Sequence, residues 1–300
     1  MSRQATVWVN GDLLPVARPH ISIRDRGFTL GDGVFETVRV RGERPLNWNR
    51  HLARLRSGAA MLDLTLPLED AGLTSAVFET LRANGLTEAV LRVSVSRGVA
   101  RQRGLIPDPG AKPVLVIDAQ PYSAYPIALY ARGMAAITSS IRRNEHSPLS
   151  RAKTLSYLDS VLARREAALQ EEDEALLLNC AGELACASAA NLFLVVAGAL
   201  VTPDVGSGAL PGTVRGLILE DLAPRLGLAF EERPVEPAKL RRATESFLTS
   251  SLLGVMPLTQ VDGQPVGAGR PGPVTVRLGA AVEAALEETG SLVPSATQPQ

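Results

Sequence analysis

The chain has 300 residues, 45% of them hydrophobic and 21% charged, with 31 basic residues against 31 acidic ones and a mean hydropathy of +0.09. Balanced charge gives no basic footprint for nucleic acid or an anionic membrane surface. No apolar run approaches the length of a membrane span, and Met1 to Val9 lacks the apolar stretch of an export signal. Cys180 and Cys186 form neither a CxxC pair nor a disulfide framework, so a reducing cytoplasm is expected. His20, His51 and His146 lie far apart without metal-ligand spacing, and no metal is predicted. At about 150 residues per domain, two domains are expected.

In chain order, Val7-Trp8-Val9 ends at the hairpin signal Asn10-Gly11, and Val34 to Val40 alternates as a strand after the turn Leu30-Gly31-Asp32-Gly33. Helical spacing follows over 49–62, with Leu52, Leu55, Ala59 and Leu62 on one face, and over 70–84. Strands are predicted at 88–96 and 113–119. Residues 120–126, with two prolines, resist helix and strand and read as a linker between a small N-terminal domain (1–119) and a larger one (127–289). The second domain is predicted to hold a strand at 134–141, an irregular stretch from Asn144 to Arg151, a helix at 154–170 and short strands over 174–202. A helix at 214–226, a strand at 245–249 and a helix at 273–288 complete it. Residues 290–300 are polar, proline-bearing and expected to be disordered. The fold class is α/β, an α+β chain of two domains.

Only Lys112, Lys153 and Lys239 can supply a neutral primary amine. Lys153 lies just ahead of the predicted helix whose Leu158, Val161 and Leu162 read as its core face. A lysine there suits Schiff-base chemistry if its pKa is lowered; the plain alternative is a solvated lysine near a helix start. Leu210-Pro211-Gly212-Thr213-Val214-Arg215-Gly216 opens a helix with a glycine turn, which presents backbone N–H groups suited to a phosphate but is also ordinary helix punctuation. Thr249-Ser250-Ser251 places consecutive hydroxyls after a strand. Arg54 reads as a surface charge or a phosphate clamp. Arg92 sits inside an otherwise apolar strand, Val90-Leu91-Arg92-Val93, where an unpaired guanidinium is costly, so an internal partner or a bound carboxylate is expected. One lysine, phosphate donors from three segments and a carboxylate-binding arginine are what pyridoxal phosphate requires.

The wording and order of these segments resemble the class IV, or fold type IV, pyridoxal-phosphate enzymes. These include branched-chain aminotransferases, D-amino acid aminotransferases and 4-amino-4-deoxychorismate lyases. The resemblance runs through Asp25-Arg26-Gly27-Phe28-Thr29-Leu30-Gly31-Asp32-Gly33-Val34-Phe35-Glu36, His51-x-x-Arg54-Leu55, Lys153-Thr154-Leu155-Ser156-Tyr157, Ala190-Asn191-Leu192-Phe193, Leu210 to Arg215 and Leu248 to Pro257. It implies a D-amino acid aminotransferase-like fold with the cofactor in the interdomain cleft, and a homodimer acting on a small amino-acid-like substrate. Lys153 is then the Schiff-base lysine and proton carrier. Arg54, Thr213, Val214, Ser250 and Ser251 hold the phosphate, Tyr157 faces the cofactor's phenolic oxygen, and Phe35, Arg92 and Leu252 contact substrate. Relatives usually carry a glutamate at the position of Cys186, where it pairs with the pyridine nitrogen; a thiol makes a weaker partner there.

Within the family, Ser251-Leu252-Leu253-Gly254-Val255-Met256-Pro257 and the Ser96 to Leu105 segment look more like the lyase. The reading is therefore 4-amino-4-deoxychorismate lyase, giving 4-aminobenzoate and pyruvate. The alternatives are an amino-acid aminotransferase of branched-chain or D-amino acid type, and a cofactor-binding paralogue with little turnover, which Cys186 motivates.

Overall fold

A computed structural model describes residues 5–18, 21–102 and 104–290. The disorder expected for the tail falls almost wholly outside them. The chain divides into two compact units. One takes residues up to Ser123, returns for Ala152–Ser156, and takes Leu286 onward; the other takes Ala124–Arg151 and Tyr157–Ala285.

The first unit is a six-stranded antiparallel sheet. In chain order it contains β1 (Thr6–Val9), β2 (Asp12–Pro15), α1 (Arg26–Leu30), β3 (Gly33–Arg41), β4 (Arg44–Pro45), α2 (Trp48–Met61), α3 (Asp70–Asn84), β5 (Ala89–Ser96) and β6 (Val114–Pro121), with strand order β2-β1-β6-β5-β3-β4. Alternation decides its faces. Val34, Val38 and Val40 of β3, Leu91, Val93 and Val95 of β5, and Leu115 and Ile117 of β6 point one way, where they meet Leu52, Leu55 and Ala59 of α2 and Leu73, Val77 and Leu81 of α3. Helix α1, unread in the sequence because Gly27 and Thr29 weaken its propensity, starts because Asp25 accepts the Gly27 and Phe28 N–H groups, and it stops at left-handed Gly31.

The second unit contains α4 (Ile127–Arg132), β7 (Met134–Arg143), α5 (Leu158–Leu169), β8 (Glu174–Asn179), β9 (Leu184–Ala187), β10 (Asn191–Val196), β11 (Ala199–Thr202), α6 (Thr213–Gly216), α7 (Ala223–Arg225), β12 (Phe230–Glu232), β13 (Glu245–Ser250), β14 (Gly254–Val261), β15 (Gln264–Pro265) and α8 (Pro273–Gly290). Its nine-stranded sheet runs β12-β11-β10-β13-β14-β7-β8-β9, with β15 on β14, and is parallel only at β11/β12, β14/β7 and β7/β8. β8 is buried on both faces: Leu176 and Leu178 join the larger core with Met134, Leu192, Leu248 and Met256, while Ala175 and Leu177 face the other way with Ile137, Ala163 and Ala167.

Two expectations need correction. The helix expected at 154–170 starts only at Leu158, because the segment before it is extended and bonds to β3: Phe35 N–H donates to the Lys153 carbonyl at 2.8 Å and Leu155 N–H to the Gly33 carbonyl at 2.9 Å. The face assigned to the core of that helix is also the wrong one. Leu158, Val161 and Leu162 are 73%, 56% and 44% exposed, whereas Ser160, Ala163 and Ala167 are buried, since small side chains let the helix lie close to the sheet. Further along, α6 and α7 are joined by a π-helical stretch, Leu217–Leu222. The wider turn fits the chain around Pro224, which has no N–H for the ladder.

Candidate active site

In the first unit the relevant side chains come from β3, α2, β5 and the Ala152–Ser156 segment. Phe35 and Glu36, successive on β3, point to opposite faces. Phe35 shares its face with Arg92 and Ser94 of β5. Its ring, 3% exposed as part of the residue, lies 3.4 Å by centroid from the Arg92 guanidinium carbon and 4.4 Å from Lys153 Nζ. The structure thus gathers Phe35, Arg92 and Lys153 around one aromatic ring, a cation–π arrangement. Arg92 corrects one premise of the sequence reading. Leu91 and Val93 alternate into the core while Arg92 projects from the exposed face, so no buried guanidinium has to be compensated.

Glu36 faces the apolar side of the sheet and is 1% exposed. Buried charge there requires partners, and α2 supplies them from one face at i, i+3 spacing. Arg54 Nε donates to Oε1 at 2.8 Å and Arg54 Nη2 to Oε2 at 2.7 Å, while His51 Nδ1 lies 2.6 Å from Oε2. Burial pushes the Glu36 carboxyl up, but the Arg54 hydrogen bonds and charge, with His51, outweigh it and hold the group down to about 2. Burial takes His51 below its ordinary value despite the opposing pull of Glu36, with the charges of Arg54 and Lys153 adding to the lowering. A neutral His51 therefore donates its Nδ1 proton to an ionised Glu36. Neither Glu36 nor His51 was singled out as functional from sequence. The available signal was a glutamate in the core phase of Val34, Val38 and Val40, with a histidine and an arginine one helical turn apart further on.

In the second unit, the N-terminus of α6 follows Gly212, which has no side chain to cap it. A Cβ at position 212 would lie 1.9 Å from Asn191 Oδ1, so glycine allows this close approach and any larger residue requires the Asn191 side chain to shift. Asn191 Nδ2 donates to the Leu210 carbonyl at 2.8 Å, fixing the approach to the helix from β10. Thr213 Oγ1 lies 3.2 Å from Ser251 Oγ, which brings together two residues expected to hold a phosphate. Val214 sits beside Thr213 in the first helical turn, whose N–H groups have no acceptor within the helix. Ser250 Oγ instead accepts the Leu253 N–H at 3.2 Å and shapes the turn that carries half-buried Leu252. Thr249, opposite Asn191 in register and 1% exposed, has a hydroxyl without a partner. Hydroxyls and backbone N–H groups converging at a helix N-terminus suit a phosphate ester.

Tyr157 occupies the N-cap position of α5 and is half-buried. Cys186, on β9, lies in the apolar cluster of Ile137, Ala163, Ala167, Ala175 and Leu177. Burial raises its thiol above the ordinary range, with Arg143 opposing and Glu174 adding to the effect, so it stays protonated. Glu183, its acidic neighbour in sequence, is engaged with Asn179 through Nδ2 at 3.1 Å. Among the described residues no cluster of His, Cys, Asp or Glu could hold a metal ion, and no helix is long and apolar enough to cross a membrane.

The antiparallel sheet of the first unit and the mixed sheet of the second give the mixed α/β fold of the type IV class, which the solved structures below share. The chain belongs to the amino-transferase class IV family, whose pattern matches residues 33–261. A Methanocaldococcus jannaschii relative, named provisionally as a branched-chain-amino-acid aminotransferase, is 34% identical over 91% of this chain and 93% of its own. The D-alanine aminotransferase of Bacillus licheniformis is 30% identical over 96% and 99%. Among solved structures, the branched-chain amino acid aminotransferase of Escherichia coli superposes with a TM-score of 0.88 at 29% identity, covering 94% of this chain and 94% of that one. The 4-amino-4-deoxychorismate lyase of Pseudomonas aeruginosa gives 0.82 at 32% identity, covering 93% and 98%. These likenesses favour the aminotransferase alternative over the lyase reading of the sequence.

Proposed function

We propose that this chain is an amino-acid aminotransferase that anchors pyridoxal 5'-phosphate through Lys153. The observation that carries the reading is Lys153 itself, whose carbonyl accepts the Phe35 N–H and whose segment is tied again to β3 by Leu155 N–H, with its Nζ against the Phe35 ring. The donor set supports the same cofactor. Arg54, the first-turn N–H groups of Thr213 and Val214, and the Thr213 and Ser251 hydroxyls hold the phosphate, with the Ser250 turn placing Ser251. The Thr249 hydroxyl, unpartnered inside the protein, is a spare donor beside that set. When bound, the cofactor supplies an amine-reactive aldehyde and a conjugated ring that accepts the electron pair of the substrate Cα–H bond.

Once the substrate amine has displaced it from the cofactor, Lys153 Nζ would be the base that takes and carries the substrate Cα proton; water would then release the keto acid, and the amino group would stay with the cofactor for passage to a second keto acid. Arg92, exposed and stacked on Phe35, orients a substrate carboxylate, with Phe35 and Leu252 as apolar contacts. Tyr157 contributes a hydroxyl near the cofactor. Cys186 brings a neutral thiol and no charge to the ring, so the proton chemistry is assigned to Lys153 and none of it to Cys186.

The lyase is retained as a second reading on the 32% identity to the Pseudomonas aeruginosa enzyme. There the same proton removal would be followed by loss of the enolpyruvyl group as pyruvate, leaving 4-aminobenzoate. The deciding experiment exposes the protein, with cofactor, to L-amino acids, D-amino acids and aminodeoxychorismate. Keto acid formation with stoichiometric amino transfer supports the aminotransferase; 4-aminobenzoate without it supports the lyase. If Lys153→Ala leaves the visible cofactor absorbance unchanged, both readings fail and the low-turnover paralogue remains.

A cytoplasmic homodimer completes the proposal. Self-association is supported by large apolar side chains left exposed on each unit: Phe28, Leu105 and Ile106 on the first, Leu158 and Val161 on the second.

A further inference from the structure

A carboxylate on the core face of β3 is an expensive choice. Valine would pack there with Val34 and Val38 and would require no desolvation of a charge. The geometry of its partners gives the reason. Glu36 binds the Nε–Nη2 edge of Arg54 with both oxygens, at 2.8 and 2.7 Å. A guanidinium is planar and rigid, so two bonds along one edge fix the plane of the whole group and the direction of its other N–H bonds. The carboxylate is fixed in turn by His51 Nδ1 at 2.6 Å, and both Glu36 and His51 are 1% exposed. Arg54 has a side chain 10% exposed, and the carboxylate that holds its guanidinium is itself buried, so the group is oriented from the interior.

We propose that Glu36, locked by His51, is a positioning residue for an anion clamp: it sets the orientation of the Arg54 guanidinium and thereby the affinity of this site for the cofactor's phosphate group. The inference rests on the reading of Arg54 as a phosphate-holding residue. It also makes a choice between opposed effects. The negative charge of Glu36 lowers the local positive potential and by itself disfavours an anion, whereas the fixed orientation favours one. Orientation is the larger effect here, because a freely rotating arginine must be ordered when the anion binds.

The test compares binding of pyridoxal 5'-phosphate with that of pyridoxal, which lacks the phosphate, to the cofactor-free protein by equilibrium absorbance. Glu36→Gln is expected to weaken the phosphorylated ligand about tenfold while pyridoxal changes by less than about twofold, and to add nothing in an Arg54→Ala background. Equal weakening of both ligands would reduce Glu36 to a structural role. Tighter binding of the phosphorylated ligand would show that charge outweighs orientation. An undiminished effect without Arg54 would break the link between the two residues; any of these results overturns the proposal. If Arg54→Ala keeps the wild-type ratio of the two affinities, the phosphate role of Arg54 fails first, and the proposal with it. Should Glu36→Gln not fold, His51→Ala leaves the Glu36–Arg54 pair but removes its lock. It is expected to give a smaller loss confined to the phosphorylated ligand, and no such loss overturns the proposal.

Discussion

At the scale of single residues, the buried charges of the first unit predict how stability follows pH. Folded His51 titrates below its ordinary 6.5, so below that pH an unfolded chain takes up a proton that the native protein refuses, and stability falls as acid is added. Glu36 is lowered from 4.5 to about 2, so its contribution is fully present above 4.5 and is lost between about 4.5 and 2. Thermal melts of the cofactor-free protein are expected to decline in two stages, and His51→Gln, which keeps a donor, is expected to flatten the stage that begins below pH 6.5. A decline unaltered in that variant would place the upper stage elsewhere. The two thiols differ as clearly. Both thiols are held above their ordinary range by desolvation, Cys180 with a contribution from Glu145, so access separates them: Cys180 is exposed and Cys186 buried, and a thiol reagent is expected to modify one cysteine per native chain and two in denaturant. Rapid modification of both in the native protein would contradict the apolar setting of Cys186.

At the scale of elements, the start of α6 is a packing constraint as much as a binding feature. Gly212→Ala would drive a methyl against Asn191 Oδ1, which anchors the Leu210 carbonyl. The expected cost is about 1–3 kcal/mol, read as a lower melting temperature together with faster loss of cofactor on dialysis. An unchanged melting temperature would mean that Asn191 yields without consequence. Helix α5 shows why a helical repeat in sequence does not say which stripe is buried. Leu158, Val161 and Leu162 form an apolar set at the right spacing, yet the sheet receives Ser160, Ala163 and Ala167. The extended segment before it was equally hidden, because Lys153–Leu155 owes its shape to backbone bonds with β3, a strand far away in sequence.

At the scale of the whole molecule, the exposed leucine and valine of α5 and the apolar tip Leu105–Ile106 are large for a surface facing only water. That tip is held firmly: Arg26, 4% exposed, donates to the carbonyls of Gly104 and Leu105 at 2.9 and 2.7 Å and pairs with Asp32 at 2.7 Å. Sedimentation analysis is expected to find a dimer, with a melting temperature that rises with protein concentration. The paired substitution Leu158→Glu and Val161→Glu is expected to shift it toward monomer. A monomer at all concentrations in the unsubstituted protein would remove self-association from the proposal.

The sequence by itself determined the α+β class and the family, because these depend on local alternation and ordered motifs, and it put Lys153 forward among three lysines as the residue to test. What it could not determine were partnerships between distant segments. The pairing of Glu36 with His51 and Arg54, the meeting of Thr213 with Ser251, and the projection of Arg92 from the exposed face each depend on register between elements. Register follows from which strands and helices pack together, and a side chain's neighbours across a sheet leave no mark on its own stretch of sequence.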